Sequence, residues 1–525
     1  MNKKFCLLLM MFGMFLSTFT VHAQNDTIQG IELQYVPNDG SNNPFVTSNN
    51  KWDNVLSVYN DETYDSFFHR SLGWNGGDGC YSTLLPDGNT FWSFADSFFG
   101  VISPGRVRSG NNLPRNAGFI QTGESADGFL CLNEYVQTQY DYLSTYYEGK
   151  TWLRHPEGEM TDAEIAQGQT DQNMLYWPGD ATIHHGETGD TLQMLWGQVD
   201  NTMNRWETAF TEYTLEGKPG DEGYMKLVNY VRYFQPYTAN YGSGIFEDED
   251  GHTYLLGNKT PANSIYGGSF PLIARTETHD LKSKWTYYIK DTNGQWNWQE
   301  TPPTNAEMDN SFISDGWIGE PNLFKYLDKY YLVGQEADYG QQVYIWQGDH
   351  PWGPFTNSNR KILYVTQAIT PTNKPAEPGA TYNAFLHPQL SKRGELVISF
   401  NNNPQNFWDN FNTPGSANLY LPYFVRIFNW YKLWNLPNPD PTAINNVRND
   451  TQLNIYPNPV TDLLNVSSAS LSMFRWKLLN VTGACLQSGK ATGAATIPVK
   501  NYASGIYLLQ IETQLGNHIY KIIKK

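Results

Sequence analysis

Five segments of this chain repeat one design: a polar entry, a short strand, a tight turn and an apolar return strand. They are "GDGCYSTLLPDGNTFWSFAD" from Gly77, "PGDATIHHGETGDTLQMLWGQ" from Pro178, "NYGSGIFEDEDGHTYLLGN" from Asn240, "IGEPNLFKYLDKYYLVGQ" from Ile318 and "AFLHPQLSKRGELVISFNN" from Ala384. Helical periodicity is rare between them, and turn pairs such as Asp87-Gly88 and Asp250-Gly251 punctuate the apolar runs. Radial repetition of hairpins predicts an all-β fold, a five-bladed β-propeller over residues 24–435. The repeats are spaced beyond the ~40–50 residues of a compact blade. Long loops must therefore be inserted, and such loops build binding faces.

In a propeller the innermost strand of each blade lines a central channel. The entries Asp78, Asp180, the Tyr241–Ser243 stretch, Glu320 and His387 are then expected to converge on one mouth. Several carboxylates around one pocket are costly unless a charge partner or a functional pKa arrangement supports them. Asp96 ends the return strand of the first hairpin, so an antiparallel pair would bring it beside Asp78. Two carboxylates at a scissile bond are the equipment of glycoside hydrolysis: one protonates the leaving oxygen, and the other activates water or attacks the anomeric carbon. Turn capping by Asp78 and a loop hydrogen bond from Asp96 are the plainer alternative.

Composition supports a carbohydrate ligand and argues against two others. Aromatic residues make up 15% of the chain, with 34 Tyr and 17 Trp. Beyond core packing, flat rings stack on sugar faces at low entropic cost. The formal net charge of −17 argues against nucleic acid and anionic lipid. Trp74, Trp177 and Trp317 each precede an entry acid by three or four residues, and form either a stacking rim or inter-blade filling. Asn116, Asn322 and the run Asn401–Asn403 offer neutral hydrogen-bonding groups for sugar hydroxyls, or serve as turn residues. His387 binds sugar, binds a metal through water, or is a buried histidine satisfied by its neighbours. No metal-ligand spacing, nucleophile elbow, phosphate loop or dinucleotide fingerprint is present. No cofactor is expected, with a structural calcium left open.

The chain begins "MNKKFCLLLMMFGMFLSTFTVHAQ", two lysines, an apolar run and a small-residue end. Residues 1–23 are expected to be a secretory signal cleaved after Ala23, with no membrane span remaining. Cys6 would leave with it. An oxidising compartment would permit a Cys80–Cys131 bridge, which spacing cannot establish. Residues 436–447, within "NLPNPDPTAINNV", read as a linker. Residues 448–525 alternate apolar and polar between turn signals, as a small β-sandwich does.

Two resemblances sharpen this reading. "YPNP" at 456–459, "GIYLLQI" at 505–511 and the terminal "KIIKK" resemble the C-terminal sorting domain of the type IX secretion system. That implies passage through the outer membrane, with that machinery as a partner, then release or surface attachment. The middle region resembles the five-bladed propeller glycoside hydrolases, which include arabinanases, furanosidases and fructan-active enzymes. Within that group, Asp78 followed by the Asp96 of "FADSF" resembles the F-G-D-T-F hairpin of secreted enzymes that cleave D-arabinan. The resemblance implies that Asp78 and Asp96 act as an inverting catalytic pair on a furanose-containing polysaccharide of arabinan type, with Asp180 and Glu320 orienting substrate or tuning pKa. Here "FADSF" stands for "FGDTF", and the third repeat carries no acid at its entry, because Glu247 falls nearer the turn. A last-blade histidine in such enzymes can hold calcium through water, which would be His387. A non-catalytic, surface-displayed glycan-binding propeller is the alternative.

Overall fold

The computed structural model describes residues 31–439 and 454–525, apart from short loop segments. The expected leader, 1–23, lies outside the described residues, as does most of the expected linker. The chain divides into two compact units, Met1–Trp434 and Asn435–Lys525.

Five antiparallel sheets form the blades of the first unit, beside a smaller three-stranded and a two-stranded sheet. Their innermost strands are Tyr81–Leu84, Leu175–Gly186, Gly244–Glu247, Ile318–Tyr326 and Ala380–Leu386. Each pairs with the next strand in sequence, as the hairpin repeats require. The unit is a five-bladed β-propeller. Innermost strands approach closely: a Cβ on Gly244 would collide with the carbonyl oxygen of Pro321 in the next blade.

The fifth blade joins the two ends of the unit. Its strands run Ala380–Leu386, Glu395–Asn403 and Leu421–Phe428, and the N-terminal strands Ser57–Asp61 and Leu33–Val36 complete it from outside. Closing a ring with strands from both termini covers edges that would otherwise be open. Asp61 also caps the helix Glu62–Phe68, accepting from the Tyr64 N–H at 3.0 Å. Its other carboxylate oxygen accepts from Arg426 Nε at 2.6 Å, and Arg426 Nη1 donates to Glu395 at 2.8 Å. All three side chains are buried.

The first and fifth blades share an aromatic core of Phe68, Trp74, Trp92, Phe94, Phe119 and Phe424. Trp74 is 1% exposed, with Phe94 at 4.8 Å and Phe119 at 5.4 Å between ring centres. It is core, not a stacking rim. Cys80 and Cys131 are free thiols, so the bridge open to the sequence is not made. Cys80 directly precedes the innermost strand of one four-stranded blade, and Cys131 ends its outermost strand. Three spacings of ~4.8 Å put them roughly 14 Å apart, twice the reach of a disulfide.

The second unit is a β-sandwich of a three-stranded and a four-stranded sheet. Phe474, Trp476 and Leu478 are buried while Arg475 and Lys477 between them are exposed, the period of two read from the sequence. They pack with Val460, Leu464, Val466, Ile497 and Leu509.

Candidate functional site

Bulges open the innermost strands at their entries. The pairing register shifts between Pro178 and Ala181, between Gly319 and Asn322, and between Tyr382 and Phe385. Asp180 and Glu320 fall inside the first two. Glu320 takes a left-handed backbone, φ +44°, rare for a residue with a Cβ. Bulges re-aim side chains and concentrate beside functional sites.

Asp78 and Asp96 close the first hairpin as a pair. The Asp78 N–H donates to the Asp96 carbonyl at 3.2 Å, and the Asp78 carbonyl accepts from Ala95 at 2.7 Å. Asn401, from the fifth blade, clamps the entry. Its side chain accepts from the Gly79 N–H at 3.1 Å and donates to the Gly77 carbonyl at 3.0 Å. The Asn401 amide is therefore spent on backbone rather than offered to a sugar.

The two carboxylates have different surroundings. Tyr382 donates its hydroxyl to Asp78 Oδ2 at 3.1 Å, and Tyr420 also bonds this carboxyl. Asp78 Oδ1 is buried without a partner. Burial and the nearby Asp96 charge push the Asp78 carboxyl up to about 7. Asp96 Oδ2 accepts from Arg115 Nη1 at 3.1 Å, and Asp96 Oδ1 accepts from Trp177 Nε1 at 3.3 Å. Burial raises the Asp96 carboxyl as well, but the Arg115 cation opposes it. The pair titrates as a unit, and the Arg115 cation favours the ionised form of Asp96. Burial and the carboxylate charges hold both phenols well above their ordinary range, so Tyr382 and Tyr420 act as donors.

Asp180 and Glu320 stand on the channel wall. A cavity of about 220 Å³ is lined by Tyr81, Ser82, Asp180, Gly244, Asn322 and Gln389, among others. The Asp180 oxygens accept from the Ala181 and Ile245 N–H groups at 2.9 Å each, while burial pushes its carboxyl up to about 7. Glu320 Oε2 accepts from the Tyr81 hydroxyl at 3.0 Å. Asn322 borders the cavity, but its side chain serves backbone: it donates to Glu320 and accepts from the Leu386 N–H. Glu247 ends its strand and bonds Thr182.

Three expectations need correction. His387 follows the fifth innermost strand instead of opening it, because that strand starts at Ala380. Tyr382, near the start of that strand, is the residue that reaches Asp78. His387 is fully buried, with Ser82 Oγ 2.6 Å from Nδ1 and Ser399 Oγ 2.8 Å from Nε2. Burial holds it down to about 3, hence neutral. Both ring nitrogens are occupied, and no group of three or more His, Cys, Asp or Glu gathers as a metal cluster among the described residues. These donors do not fit a calcium ion, which takes six to eight oxygens. Asn116 is also fully buried: it bonds the Leu153 N–H and the carbonyls of Leu153 and Tyr176 at 2.8–2.9 Å. Its amide is spent on the backbone of Leu153 and Tyr176. Trp317 packs on Gly268 of the third blade, where a Cβ would strike its ring, so it fills space between blades. Of the three tryptophans, only Trp177 is at the carboxylate pair.

Sequence reasoning missed Tyr382, Tyr420 and Arg115. Arg115 stands directly before Asn116, and Tyr382 two residues before the assigned start of the fifth repeat. Tyr420 has no local signal.

The family model described as Domain of unknown function (DUF5005) matches residues 61–430, and that of the secretion system C-terminal sorting domain matches 454–525. The second unit is this sorting domain, and the chain is exported by the type IX route, to the cell surface or beyond it. A candidate hydrolase from Bacteroides ovatus ATCC 8483, solved by crystallography, is 42% identical, with 77% of this chain and 96% of that one covered and a TM-score of 0.66. A family 43 arabinoxylan arabinofuranohydrolase from Bacillus subtilis is 12% identical (86% and 95% covered, TM-score 0.36), and a GH43_1 enzyme from Xanthomonas citri is 12% identical (69% and 92%, TM-score 0.34). No curated protein matches the chain.

Proposed function

Because the chain belongs to the DUF5005 family and carries an export domain, we propose that it is an exported glycoside hydrolase acting on an extracellular polysaccharide, furanose-containing and of arabinan type. The observation that carries this reading is the Asp78–Asp96 pair, two adjoining carboxyls with opposite electrostatic support. Enzymes separate such pairs into an acid and a base through their environments. Asp78, held protonated up to about 7, is the general acid for the leaving oxygen. Asp96, whose ionised form the Arg115 cation favours, is the base or nucleophile at the anomeric carbon. Tyr382 and Tyr420 orient Asp78, and Trp177 orients Asp96. The Bacteroides ovatus relative, described as a candidate hydrolase, agrees with this chemistry.

The test is reducing-sugar release by the full-length chain from arabinans, arabinogalactans, xylans and fructans. Release from arabinan is the expected result. Release from no polymer, nor from small aryl glycosides, would refute hydrolysis and leave the glycan-binding propeller as the reading.

The same assignment predicts the pH dependence. The kcat/KM profile should be a bell whose alkaline limb lies near 7, where Asp78 loses its proton. Arg115→Met removes the cation that favours ionised Asp96. Its acidic limb should move to higher pH by about 1 unit, narrowing the bell from one side. An unmoved acidic limb would remove Asp96 from its role.

A further inference from the structure

Two aromatic arms lead from the Asp78 carboxyl through the tyrosines that hold it, buried at Tyr420 and Phe98 and exposed at their far ends. Along one, the Tyr420 ring lies 5.0 Å from Phe98, which lies 5.2 Å from Phe411 and 6.0 Å from Phe407. Trp408 stands 5.7 Å from Phe407 and 6.1 Å from Phe411. Along the other, Tyr382 lies 5.7 Å from Tyr339. Trp408 is 73% exposed and Tyr339 63%, the two most exposed large apolar side chains among the described residues of the first unit. They come from different blades: Tyr339 from the hairpin between Lys329–Glu336 and Gln342–Gly348, Trp408 from the connection between Glu395–Asn403 and Leu421–Phe428.

The Trp408 loop is held open by its own bonds. Asn406 accepts from the Trp408 N–H at 3.1 Å, and Asn410 donates to the Phe407 carbonyl at 3.0 Å. Lys374 pairs with Asp409 at 2.9 Å. A ring fixed in water by its loop loses little freedom on binding. Rings of this kind present a face to the C–H groups of a sugar while its hydroxyls stay hydrated.

We propose that Trp408 and Tyr339 are stacking platforms for sugar residues on either arm of the Asp78 mouth, so that the ligand is an extended glycan chain bound across the mouth. This rests on the glycoside hydrolase reading for the meaning of the mouth. A single sugar at Asp78 could not reach Trp408, which is several ring contacts away. A chain running through the mouth touches both arms, which favours cleavage within polymers over release of terminal sugars.

The test uses the full chain with Asp78→Asn, alone and combined with Trp408→Ala or Tyr339→Ala, in affinity gels containing debranched arabinan or arabinoxylan. Both aromatic residues are exposed, so their truncation spares the core. Each truncation should weaken association at least fivefold. With Asp78 intact, Trp408→Ala should raise KM for the polymer by a similar factor with kcat nearly unchanged, and its turnover of 4-nitrophenyl arabinofuranoside should stay as it was. Equal retardation of all variants, or no retardation by either polymer, overturns the platforms. Aryl-glycoside turnover with no Trp408 effect sinks only the platforms. Trp408-dependent retardation without turnover of any substrate supports them and sinks only hydrolysis.

Discussion

Asp78→Asn is expected to lower kcat on the polymer by about 10²–10⁴-fold, the range for loss of a positioned proton donor. The substitution keeps the shape of the side chain, and its amide can still accept from Tyr382 and Tyr420. The clamp by Asn401 runs through backbone and is unaffected. Stability should move the other way. The folded state raises this carboxyl from its ordinary value to about 7. Its contribution to stability is therefore full below pH 4 and is lost as pH rises through 7. Above that, native Asp78 is an ionised group in a buried site beside a second carboxylate. The variant should melt at the wild-type temperature at pH 4 and about 2–4 °C above it at pH 8. Thermal scans at the two pH values, with rates on the same samples, check both halves. An inactive variant that also melts lower at pH 8 would mean disruption of the fold rather than loss of an acid.

The largest effect on stability is expected at the closure of the ring. Arg426→Leu leaves Asp61 and Glu395 as buried carboxylates without their cation. Removing one partner of a buried ion pair costs about 3–5 kcal/mol, because the remaining charge has neither water nor a counterion. Here two charges are stranded. Asp61 is also the helix cap and the end of the strand that joins the N-terminal segment to the fifth blade, so the blade should open from its outer edge. Denaturant melts at pH 7 should show the unfolding free energy falling by that amount, with the midpoint shifted down accordingly. Restoring a cation with Arg426→Lys should recover part of it. A cost under 1 kcal/mol would mean that water reaches the trio.

Local pattern was enough for the architecture. The alternation in "FRWKLLNV" and the hairpin turns are set by nearest neighbours, since successive strand residues face opposite sides and a turn pair must suit its own dihedrals. Five repeats of that pattern leave a closed propeller as the way to cover their edges. The proximity of Asp78 to Asp96 was legible for the same reason: both belong to one hairpin.

What escaped the pattern is whatever depends on register between distant segments. The fifth innermost strand begins at Ala380, so His387 lies past its end and Tyr382 near its start is the residue that reaches Asp78, and no property of the residues around it announces that placement. Asn116 and Trp74 have the composition of ligand contacts but are buried, because burial is decided by which blade packs on which. Tyr420 reaches Asp78 across more than three hundred residues of chain. The unequal support of the two acids also belongs to the folded state. A carboxyl's proton affinity follows from the charges and the water around it, and only packing places Arg115 beside Asp96 and leaves Asp78 between two phenols.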